Sequence, residues 1–164
     1  MRSRLGLVLF VFGLAIVASG CLSLQGADKT TAEVEAIAKK LGELIGENDA
    51  EGIADLLVFP ATLMYYDDAY TFTSRQEFIA LTEFSYPDGT LHKHEVSVPH
   101  ILAHENYAST IVRMVSDWSD PWDEWREIVL LEVKLVRVGK DWKINIVQIA
   151  SLEYFWLDSV DDVD

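Results

Sequence analysis

The chain predicts an α+β domain, with N-terminal helices packed against a curved antiparallel sheet, and three features carry that expectation. Its first half places apolar residues at helical spacing behind capping signals. From Leu91 onward the period changes to that of long strands. Those strands are separated by short turns, so consecutive ones form an antiparallel meander.

Thr30 with Glu33 three positions later reads as a capping box, and Val34, Ile37, Ala38, Leu41, Leu44 and Ile45 then fall on one helical stripe. Gly46 and Asn48 end that helix. Asp49 caps a second, shorter helix through Leu57, which buries Ile53, Leu56 and Leu57. Pro60 stops helical continuation, and Ala61 to Tyr66 reads as a short strand. Ser74 and Glu77 make another capping box, opening a helix to about Glu83 with Phe78, Ile79 and Leu81 apolar. Tyr86-Pro87-Asp88-Gly89 is a turn.

Leu91 to Leu102 is a strand interrupted by Pro99, which demands a bulge or an edge position. His104-Glu105-Asn106 turns into a strand from Tyr107 to Trp118, and Ser119-Asp120-Pro121 breaks it. Trp125 to Val138 and Trp142 to Ile149 follow, joined by Gly139-Lys140-Asp141.

The N-terminus has a different grammar. Arg2 and Arg4 precede an apolar run from Leu5 to Val17, and Ala18-Ser19-Gly20-Cys21 ends it. The 14 residues from Leu5 to Ala18 fall short of the about 20 that a spanning helix needs, and the order is that of a secretory signal. Small residues before a lone cysteine resemble the lipobox of prokaryotic lipoproteins, with Ala18 standing where that pattern prefers Leu. The resemblance implies cleavage before Cys21, a diacylglycerol thioether on it, and a protein held at the extracytoplasmic face of a cell membrane. The chain then divides into a signal peptide over 1–20, a lipidated N-terminus and linker over 21–29, a folded domain over 30–155 and an acidic tail over 156–164. A linker from Leu22 to Asp28 reaches on the order of 25 Å at most.

Composition sets further bounds. The formal charge is −14, and loss of Arg2 and Arg4 takes it to about −16. Such a surface repels polyphosphate, so nucleic acid is excluded as a partner. An apolar content of 50% excludes a disordered chain. With one cysteine there is no disulfide framework. No Gly-rich phosphate loop, zinc spacing or Gly-x-Ser-x-Gly elbow occurs, so neither a cofactor nor a metal is expected.

The run from Asn48 to Leu57, a short strand, a Ser74-capped helix and a closing Gly139-Lys140-Asp141-Trp142-Lys143-Ile144 hairpin resemble the nuclear transport factor 2-like superfamily, including SnoaL-like domains. The likeness spans about residues 30 to 150. It implies a cone in which a strongly curved sheet wraps the helices and leaves a pocket at its open end. The superfamily holds isomerases, dehydratases and binding domains without chemistry, so its fold leaves function open.

Three groups of residues are candidates for a site. Tyr66, Asp67 and Asp68 leave the first strand near where ketosteroid isomerase-like relatives place a carboxylate base, although a solvated turn is the simpler explanation and the favoured one. The helix from Thr31 to Ile45 lacks the tyrosine that those isomerases use. His92 and His94, two apart, share a face if their strand is regular, and His94 is then a proton-transfer partner for Asp67 or Asp68. Trp118, Trp122 and Trp125 stand among three carboxylates in eight residues, a pattern suited to a small apolar or cationic ligand or an envelope protein. Binding without catalysis is the leading expectation, and a proton-transfer enzyme of isomerase or hydro-lyase type is the alternative.

Overall fold

The structure, a computed structural model, describes residues 29–82 and 89–157. The signal segment, Cys21, the linker, the Tyr86-Pro87-Asp88 turn residues and the acidic tail from 158 onward lie outside the described residues. No helix among those described is long and apolar enough to cross a membrane.

Helix α1 occupies 29–46. Its apolar stripe is the expected one: Val34, Ala38, Leu41 and Leu44 are buried, with Ile37 and Ile45 packed beside them. Residue 29 is already helical, so Thr30 is not the cap. Glu33 instead faces Lys29 and accepts from Arg137 Nη2 at 3.2 Å, tying the helix to the sheet. Asn48 adopts a left-handed φ of 54° just past the helix, where a short polar side chain is tolerated. Asp49 Oδ1 then accepts from Gly52 N at 2.9 Å and opens α2, Ala50–Leu56.

Strand β1, Leu57–Tyr65, begins earlier than the sequence pattern suggests and contains Pro60. The proline is accommodated because the register against the neighbouring strand shifts between Leu57 and Thr62, so no ladder bond is demanded of it. A tight turn leads to β2, Asp68–Phe72, which the sequence reading lacked. All of β2 but Phe72 is exposed, so no alternating burial marks it. Helix α3, Arg75–Leu81, is capped as expected, with Ser74 Oγ accepting from Glu77 N. Glu77 reciprocates by accepting from Thr73 N and Oγ1, and these bonds hold its carboxyl below the usual range.

The meander follows as β3, Thr90–Ala103, β4, Tyr107–Ser119, β5, Glu124–Val138, and β6, Asp141–Trp156. Strand β6 runs well past Ile149. Among the described residues the sheet order is β2-β1-β6-β5-β4-β3, with β1 parallel to β6 and every other pair antiparallel. Register shifts fall at Leu91/Lys93 and, around Pro99, at Ser97/His100. Such bulges bend a strand and strengthen its twist, and the large sheet curves without closing. The helices lie on its inner side, and the core forms between them from residues such as Leu41, Val112, Val133, Leu135 and Ile144.

Candidate functional site

The site is built on a cross-strand row. His94 on β3 lies opposite Ser116 on β4, Ser116 opposite Glu127 on β5, and Glu127 opposite Tyr154 on β6. Directly paired residues project from the same face of a sheet. All four line a cavity of about 370 Å³ between the helices and the inner face. Its other walls are mainly apolar, including Leu41, Ile45, Phe72, Met114, Val129 and Ile149.

Neighbouring rows explain why these four point inward. Along β5 the inward positions read Trp125, Glu127, Val129, Leu131, Val133 and Leu135, so Glu127 is the one ionisable residue in an apolar alternation. One step along each strand, Lys93, Asp117 and Arg126 make a second row on the outer face. There Arg126 donates Nε and Nη2 to the two carboxylate oxygens of Asp117 at 2.7 and 2.9 Å, and holds that carboxyl below its usual range. The Asp117–Arg126 pair sits outside, whereas Glu127 sits inside with no Lys or Arg on the cavity wall.

Burial pushes the Glu127 carboxyl above the usual carboxylate range. The Tyr154 hydroxyl and the Trp118 indole nearby, and the proximity of His94, oppose that shift without cancelling it. Burial, reinforced by the Glu127 charge, raises Tyr154 in turn. His94 Nε2 lies 3.0 Å from the Gly42 carbonyl on α1 and Nδ1 lies 2.9 Å from Ser116 Oγ. A carbonyl only accepts, so Nε2 carries a proton and donates to Gly42, while Nδ1 and the Ser116 hydroxyl share the second bond.

His94 is thus placed at the site, as the sequence suggested, but His92 is not beside it. The shift between Leu91 and Lys93 makes His92 the extra residue of a bulge, so the two histidines do not share a face. His92 is exposed and lies 2.6 Å from Ser119 Oγ. Tyr66, Asp67 and Asp68 are exposed around the β1–β2 turn and are absent from the cavity wall. Their neighbour Tyr65 does line the cavity and packs edge-on against Tyr66.

The Trp-rich segment separates in the same way. Trp118 and Trp125 are 4% and 8% exposed and oppose each other one row beyond Ser116 and Glu127. Trp125 also meets Trp156 edge-on. Trp122, 86% exposed, tops the β4–β5 turn that Asp120 Oδ1 holds by accepting from Trp122 N and Asp123 N. Among the described residues no three metal-ligating side chains cluster. The arrangement can bind a small apolar molecule and present to it a carboxyl, a phenol and an imidazole. Ser116, Glu127 and Tyr154 escaped the sequence reading; the lone Glu in the apolar alternation of β5 was the signal available.

No family model and no curated protein matches the sequence. Solved structures do match. A nuclear transport factor 2-like protein with a cystatin-like fold from Novosphingobium aromaticivorans is 13% identical, with 87% of this chain and 92% of that one covered at a TM-score of 0.57. A candidate scytalone dehydratase from the same organism is also 13% identical, covering 76% and 85% at 0.56. A ketosteroid isomerase-like protein from Erwinia carotovora atroseptica, 13% identical, covers 74% and 96% at 0.50. Likeness at this identity speaks for the fold alone: the chain adopts the nuclear transport factor 2-like, cystatin-like cone.

Proposed function

We propose that this chain is a lipid-anchored extracytoplasmic binding domain whose cone holds a small, mainly apolar molecule. The observation that carries the reading is the cavity of about 370 Å³, apolar on most of its wall and crossed by the single His94–Ser116–Glu127–Tyr154 row. Apolar pockets with a few convergent polar groups suit orientation of a small ligand. Cys21 supplies the anchor, and the cone works close to the membrane surface.

The test uses the uncharged, polarity-sensitive dye prodan on the full chain. Wild type should bind it saturably at one site, with a blue-shifted emission. Val147 lines the cavity, so Val147→Phe should fill part of it and weaken the dye at least about tenfold while the fold persists. Unsaturable or absent binding by wild type, or equal binding by the folded variant, would refute the reading.

A second reading, proton transfer, is favoured by one observation. A half-buried carboxyl shifted upward beside a phenol is suited to exchange a proton with a bound ligand. In that reading Glu127 takes the role that the sequence suggested for Asp67 or Asp68. Turnover of a bound ligand that Glu127→Gln abolishes without loss of binding would favour it over binding alone.

A further inference from the structure

Glu127 is the one acidic side chain on the cavity wall among the described residues, and neither Lys nor Arg lines that wall. The titratable groups that face it are His94 from β3, Tyr154 from β6 and Tyr65 from β1, while β4 contributes Ser116 and Trp118 and α1 contributes only apolar side chains. His94 is committed elsewhere, its Nε2–H to the Gly42 carbonyl and its Nδ1 to Ser116. The polar groups left beside Glu127 are therefore the neutral Tyr154 hydroxyl and Trp118 indole. Two donors leave carboxylate lone pairs unused. A carboxylate partly removed from water with no cation in contact with it is costly, and a ligand that brings one relieves the cost.

Resting on the binding reading above, we propose that the ligand of the cone is an apolar molecule bearing an ammonium group, with the Glu127 carboxylate as its counter-ion inside the cavity. The ammonium fills the unused acceptor positions of Glu127, and the apolar body lies against Met114, Val129 and Ile149. Tyr65 and Tyr154 add aromatic faces that favour a cation. The formal charge of −14 raises the concentration of cations, and lowers that of anions, at the open end.

The experiment is calorimetric titration of the full chain with cyclohexylmethylamine and with cyclohexylmethanol, which match in shape and differ in charge. The amine should bind at least about tenfold more tightly than the alcohol. Glu127→Gln should remove that preference, with the amine falling to the affinity of the alcohol. Wild type alone supplies a second measure: as pH falls and Glu127 takes up a proton, affinity for the amine should drop while that for the alcohol holds. Equal affinity of the two compounds, or a preference that survives both Glu127→Gln and low pH, overturns the proposal. If prodan binds but neither compound does, the proposal also falls while the cavity reading stands; if prodan fails as well, both fall.

Discussion

Glu127 owes its character to its address on β5. Two residues before it lies buried Trp125 and two after it buried Val129, so the pleat carries it inward with them. Because burial raises its pKa, the folded protein holds the Glu127 proton to higher pH than the unfolded chain does. Its contribution to stability is complete below the unfolded carboxyl's pKa and is lost as pH rises through the folded value. Glu127→Gln removes this loss, so the variant should melt about 1–3 °C above wild type at neutral pH and lose that advantage at acid pH. Melting curves at the two pH values check it, and a variant less stable than wild type at neutral pH would count against a strained carboxylate. Asp117, only ten residues earlier and on the outer face, has the opposite sign because Arg126 grips it. Composition could not distinguish the two acids; the two-residue alternation could.

At the scale of elements, the site depends on how closely α1 lies on β3. A Cβ at Gly46 would come within 2.5 Å of the His94 ring, and one at Gly42 within 2.6 Å of Val96. These glycines, one helical turn apart, form a notch that admits the imidazole and lets it bond the Gly42 carbonyl. Gly46→Ala should cost about 1–2 kcal/mol, since overpacking outweighs the gain in helix propensity. The same change should cost far less in a His94→Ala background. An equal cost in both backgrounds, read from denaturant unfolding, would separate Gly46 from His94. Most of this architecture was legible: the α1 stripe, the Asp49 and Ser74 caps, the Pro99 bulge and the hairpin turns are local signals. What was not legible is nonlocal. The parallel contact of β1 with β6 joins residues far apart in sequence, β2 is too exposed to show a period, and the bulge at His92 cannot be placed without its partner strand.

For the whole molecule, a cone with a polar row inside an otherwise apolar cavity suits a domain that takes a ligand into its interior. The proposed tether completes it. Replacing Cys21 by Ser should move the protein from the membrane to the soluble fraction; retention with an uncleaved N-terminus would make the apolar run itself the anchor. The account rests most heavily on a carboxylate held inside an apolar cavity beside Tyr154 and Trp118. Side-chain carbon NMR of Glu127 in the full chain, followed through a pH titration, measures this directly. The expected midpoint lies above the ordinary carboxylate range; a midpoint at the value of a solvated glutamate would contradict a carboxylate held in that cavity.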